Sequence, residues 1–153
     1  MLYRSLSEEL RPIADACAQY FITNWGVSGF KVEEPVDPQI ERRPTLQTLT
    51  SDGHYLCVEV SESPYPTGLD SFVLDCRDHF LPVRLFVGIP AGSKASNFKR
   101  DFDRARGRGV GVLEVSQTGV QKTLDPVSLS LAGVRAIEPR RFPKKYRLAL
   151  TQA

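Results

Sequence analysis

The chain has 153 residues, 41% hydrophobic and 25% charged, with a formal net charge of +2. A chain of this length buries roughly 70% of the surface it exposes unfolded, enough for one cored domain, and no stretch approaches the ~18 apolar residues of a membrane-spanning helix. Cys17, Cys57 and Cys76 make an odd count without a Cys-x-x-Cys pair, which excludes a disulfide framework and points to a reducing, cytoplasmic setting.

The apolar residues Leu6, Leu10, Ile13, Cys17, Tyr20 and Phe21 recur at helical spacing over residues 5–23, and Ser5 with Glu8 has the capping-box pattern. A helix is therefore expected there, kinked at Pro12 or beginning near it. Gly26 and Gly29 stop it, and Phe30 and Val32 then alternate with Lys31 and Glu33 as in a strand. Pro44 opens a second strand, and the turn Ser51-Asp52-Gly53 leads into a third at HYLCVEV. An Asp-Gly between two alternating runs predicts an antiparallel hairpin of residues 45–50 with 55–60. Leu69, Phe72, Val73, Cys76 and Phe80 predict a helix over 68–80, and the apolar run at 84–90 predicts a buried strand parallel to the third. A second helix–strand unit follows, with a helix capped by Ser96 and ending at Gly107 or Gly109, and a strand over 110–116.

One residue disturbs this pattern. With a period of two, Leu56, Val58 and Val60 face one side of the third strand and Cys57 and Glu59 the other. A carboxylate in a buried strand costs several kcal/mol unless it is paired, bound to metal, protonated or wet.

The element order helix, three strands, helix, strand resembles the restriction-endonuclease-like, or PD-(D/E)XK, nuclease superfamily, in the words LSEEL (6–10), RPTLQTL (43–49) and CVEVSES (57–63). The resemblance implies a single α/β domain with a mixed central sheet flanked by helices, its core at residues 1–120 and a basic C-terminal extension at 121–153. It also implies an active site at Glu59 with Glu8 or Glu9 from the first helix. The chain departs from that motif: Thr45 stands where the family has its metal-binding Asp, and Ser61 where it has Lys. A Thr hydroxyl is a poor ligand for Mg²⁺, and a Ser supplies no cation to the charge that develops in phosphoryl chemistry. Lys31, Arg42 or Arg43 is a candidate replacement cation and Glu41 or Asp52 a replacement carboxylate, with Asp52 at the wrong end of the hairpin.

Other constellations are weaker. His54-x-x-Cys57 and Cys76-x-x-His79 have zinc-like spacing, but positions i and i+3 on a strand face opposite ways. No Gly-x-Ser-x-Gly supports a hydrolase triad, and GIPAGSKAS lacks the phosphate-loop spacing. Residues 1–70 carry 5 Lys and Arg against 11 Asp and Glu, and residues 71–153 carry 15 against 7. The basic residues concentrate in two places. One is Lys94, Lys99, Arg100, Arg104, Arg106 and Arg108; the other is PRRFPKKYR, where Arg140, Arg141, Lys144 and Lys145 interleave with Phe142 and Tyr146. Cations mixed with aromatic rings suit phosphate clamping and base stacking.

The sequence therefore leads to a non-catalytic nuclease-fold module, without metal or cofactor, that associates with DNA or RNA or assembles a nucleic-acid-processing complex in repair, mobile-element or defence settings. The alternatives are an active Mg²⁺-dependent nuclease with rearranged ligands, and an adaptor that binds a protein partner.

Overall fold

Pro12 decides where the first helix starts. Its ring has no N–H to donate, a deficit that costs nothing in the first turn and a hydrogen bond anywhere later. In the computed structural model, which describes residues 3–92 and 96–129, helix α1 runs Arg11–Trp25 with Pro12 in its first turn, Leu10 as N-cap and Gly26, at φ 69°, as a left-handed C-cap. Of the two expectations at Pro12, a kink or a start, the start is found. Ser5 caps no helix and instead donates its hydroxyl to Glu33 at 2.9 Å, and Glu8 and Glu9 lie in an exposed turn before α1.

The strands are β1 (Lys31–Val32), β2 (Leu46–Leu49), β3 (Tyr55–Val60), β4 (Val83–Pro90), β5 (Gly111–Ser116) and β6 (Gly119–Leu124), with α2 (Leu69–Asp78) between β3 and β4 and α3 (Phe98–Arg108) between β4 and β5. They form one mixed six-stranded sheet whose strand order is the chain order. The predicted hairpin is present, with Leu46 opposite Val58 and Leu49 opposite Tyr55. Strand β4 runs parallel to β3, with Glu59 beside Val87, and β5 runs parallel to β4. The fold is an α/β domain with a mixed sheet between helices. Strand β6 continues the sheet antiparallel to β5, so the expected core boundary at residue 120 falls inside a strand. Its residues Gln121, Lys122 and Thr123 gave no apolar run to read.

Alternation along the strands builds two cores, one on each face. Leu56, Val58, Val60, Phe86 and Leu113 pack with Ala14, Cys17 and Phe21 of α1, whereas Cys57, Leu85, Val87 and Val112 pack with Phe72, Val73 and Cys76 of α2 and Ala105 of α3. The approach of α1 is close: a Cβ on Gly88 would come within 2.5 Å of Cys17 Sγ. Burial raises the Cys17 thiol to about 12, so it packs as a small apolar group and stays protonated. Helix α3 begins after Asn97, one residue later than the Ser96 cap expected, and ends at Gly109, φ 78°. Among the described residues no helix is long and apolar enough to cross a membrane.

Candidate functional site

Strand β3 aims Cys57 and Glu59 at the face opposite α1, and at Glu59 the strand is one residue from its end. Glu59 as a residue is 7% exposed. Its partner comes from the segment between β1 and β2: Arg42 donates from Nε to one oxygen at 3.3 Å and from Nη2 to the other at 3.0 Å. Two parallel charge-assisted bonds are the strongest arrangement available to a buried carboxylate. Burial still dominates, holding the Glu59 carboxyl above the ordinary glutamate range while Arg42 pulls the other way. The Arg42 guanidinium also fits against Gly68, the left-handed N-cap of α2, where a Cβ would lie 3.1 Å from Nη1. One arginine thus joins the β1–β2 segment, the end of β3 and the start of α2.

The two positions that depart from the nuclease motif have backbone partners. Thr45 is buried, and its Oγ1 accepts a hydrogen bond from Val60 N at 3.2 Å, extending the β2–β3 ladder by a side chain. Ser61 N donates to Gly88 O at 3.0 Å, and Ser61 Oγ accepts from Ser63 N at 3.1 Å, which turns the chain away from the sheet.

Beyond the ends of these strands lies a cleft of about 690 Å³, walled by Leu6, Val32 and Val60, with the Arg42–Glu59 pair and Thr45 among its lining and Arg4, Glu33 and Arg43 beside them. Glu33, immediately after β1, has φ 52°, a left-handed conformation uncommon outside glycine. Its carboxylate accepts Ser5 N at 3.1 Å and the Ser5 hydroxyl at 2.9 Å. Burial, the largest single effect, raises Glu33, but the Ser5 bonds, the Arg4 N–H and the Arg4 charge together hold it below its ordinary value. Arg42 was one of three cations named from the sequence. Arg4, Ser5 and Glu33 were not expected here, because only the fold brings residues 4–6 to the end of β1.

The remaining candidates lie elsewhere. Glu8, Glu9 and Glu41 are exposed, and Lys31 is on the edge strand opposite Gln47. Asp52 sits at the far end of the hairpin, bound by Thr50 and Arg84 at 2.5 Å each and by His54 N at 3.2 Å. His54 Nε2 meets Ser128 at 3.2 Å and His79 Nδ1 meets Asp75 O at 2.9 Å. The histidines of the zinc-like spacings are thus held by local partners, and no group of three or more His, Cys, Asp or Glu that could hold a metal occurs among the described residues.

Helix α3 is less positive than its sequence. Arg100 meets Asp101 at 3.6 Å, Arg106 meets Asp103 at 3.4 Å, Arg108 meets Asp70 at 3.2 Å, and Arg104 lies over the Tyr65 ring. Lys94 and the C-terminal Arg140, Arg141, Phe142, Lys144, Lys145 and Tyr146 lie outside the described residues.

The fold and site together define a mixed α/β domain with an arginine-paired carboxylate at the end of a central strand. No family profile and no curated protein matches the sequence. Among solved structures the chain is similar to a protein of unknown function from Silicibacter pomeroyi, at a TM-score of 0.50 and 12% identity over 97% of this chain and 84% of that one. That likeness concerns the fold alone.

Proposed function

We propose that the chain is a non-catalytic module of the restriction-endonuclease-like class, associated with nucleic acid or with the assembly of a nucleic-acid-processing complex. The observation that supports this reading is the pairing of Arg42 with both oxygens of Glu59. A divalent cation needs those oxygens, and a guanidinium already neutralises them. Thr45 fits the same reading, since its hydroxyl oxygen accepts the Val60 N–H where the class places a metal-binding carboxylate.

The test is a cleavage assay on single- and double-stranded DNA and RNA with Mg²⁺ or Mn²⁺, beside calorimetric titration of Mg²⁺. The expected result is no product and no tight metal site. Cleavage abolished by Glu59→Ala would overturn the reading in favour of a metal-dependent nuclease. Association is tested by salt dependence: if Arg140, Arg141, Lys144 and Lys145 engage phosphates, changing all four to Ala flattens the log–log slope by about 0.7 to 0.9 per lost contact. Changing Phe142 and Tyr146 then weakens single-strand binding more than duplex binding, because only unpaired bases offer faces to stack on. Recovery of a protein partner without any nucleic-acid binding selects the adaptor.

A further inference from the structure

The cleft at the end of β3 retains positive charge after its internal pairs are satisfied. Arg42 is engaged by Glu59, and Glu33 by Ser5. Arg43 is exposed beside them and makes no ion pair among the described residues. Arg4, from a different segment, lines the same cleft; its backbone N–H and its charge both act on Glu33, while its side chain is exposed. Three arginines against two carboxylates leave the cleft cationic, and the two arginines outside the Arg42–Glu59 pair belong to separate segments that share one concavity.

We infer that this cleft binds a phosphate group, clamped between Arg43 and Arg4 beside the Arg42–Glu59 pair. Guanidinium forks from two segments suit a tetrahedral anion, which offers oxygens in several directions; a carboxylate presents one planar pair and satisfies a single fork. At about 690 Å³ the space exceeds a bare phosphate and lies within the ~300–1,000 Å³ of small-ligand sites. The phosphate therefore belongs to a larger molecule, whose neighbouring atoms meet the aliphatic wall of Leu6, Val32 and Val60. Two sources share this chemistry, a free nucleotide and the phosphorylated end of a nucleic-acid strand. Only the second rests on the function proposed above.

The experiment is titration of the full chain at low salt with inorganic phosphate, a nucleoside 5′-monophosphate, and one short single-stranded oligonucleotide with and without a 5′-phosphate. It is run on the native chain, Arg43→Gln, Arg4→Gln and, as a control on α3, Arg100→Gln. The expected result is binding of the phosphate-bearing probes that falls roughly tenfold or more in each cleft variant, the effect of losing a charge-assisted pair. Arg100→Gln leaves it unchanged, and all three variants melt with the native chain because the altered side chains are exposed. Preference for the 5′-phosphorylated strand identifies a nucleic-acid end. Preference for the monophosphate with neither strand bound keeps the cleft and removes the nucleic-acid function. Equal affinity in the native chain and both cleft variants, or no binding of any probe, overturns the inference, whatever the cleavage assay shows.

Discussion

Arg42 and Glu59 are 17 residues apart in sequence, yet the guanidinium of one rests on both carboxylate oxygens of the other, at 3.3 and 3.0 Å. The pair is largely closed to water, with side chains 28% and 10% exposed. Its two halves are therefore unequal in consequence. Removing Arg42 leaves a buried charge alone, whereas removing both leaves an apolar site.

The first prediction follows directly. Arg42→Ala lowers stability by about 2–3 kcal/mol, because the buried carboxylate loses its partner. Adding Glu59→Leu to Arg42→Met recovers most of that loss. Urea denaturation of the single and double variants checks it, and equal instability in both would refute the argument.

Acidity gives a second handle on the same carboxylate. The Glu59 carboxyl is raised above its ordinary range, first by burial, so the folded chain holds this proton more tightly than the unfolded chain. The resulting stability is fully present below the ordinary glutamate value and is lost as pH rises through the raised one. As pH rises above the ordinary glutamate value of 4.5, the native chain therefore loses stability relative to Glu59→Gln. Urea midpoints above that value should converge or cross; parallel curves would show that Glu59 titrates normally.

The opposite sign holds at the other end of the hairpin. Burial, followed by the charge of Arg84, lowers His54 from its ordinary 6.5. Asp52 is lowered from 3.8 by the bonds from Thr50 and Arg84, which outweigh burial. Both groups contribute stability that is present above their unfolded values and lost as pH falls through the folded ones. Acid unfolding should then show a first decline below 6.5 that His54→Gln flattens, and a second below 3.8 that Asp52→Asn flattens. Fluorescence of Trp25 against pH, with urea held near the midpoint, would resolve the two limbs.

Gly111 tests the packing between β4, β5 and β6. A Cβ there would lie 2.8 Å from Phe86 Cδ1 and 2.9 Å from the carbonyl oxygen of Leu124. The ring is in the core and the carbonyl belongs to backbone, so neither yields cheaply. Gly111→Ala should destabilise by about 1–3 kcal/mol, the usual cost of overpacking. An unchanged thermal midpoint would mean that the β5–β6 pair shifts freely.

Much of the fold was legible because strand and helix periods differ and the turn at Asp52-Gly53 joins two alternating runs. The period of two along β3 also singled out Glu59 before any partner was known. The start of α1 near Pro12 was one of two alternatives left open; the Ser5–Glu8 cap pattern is only a local signal, and the position tolerated by Pro12 and the engagement of Ser5 by Glu33 decide the outcome. Strand β6 was missed for a different reason: an edge strand needs little apolar surface, and it draws its hydrogen bonds from β5. The cleft was only partly visible. Glu59, Thr45 and Arg42 came from the motif comparison, but residues 4–6 and Glu33 reach it through tertiary folding, which no spacing encodes.

The strand order 1-2-3-4-5-6 also bears on how the chain reaches this state. Each strand pairs with the one synthesised immediately before it, so no strand waits for a distant partner and none is inserted between two already joined. The largest separation to close between neighbouring strands is the α2 crossover from Val60 to Val83. Closing such a segment is entropically modest. Sheet growth can therefore follow emergence from the ribosome, with β1 to β3 formed before β4 arrives and the open edge advancing with the chain.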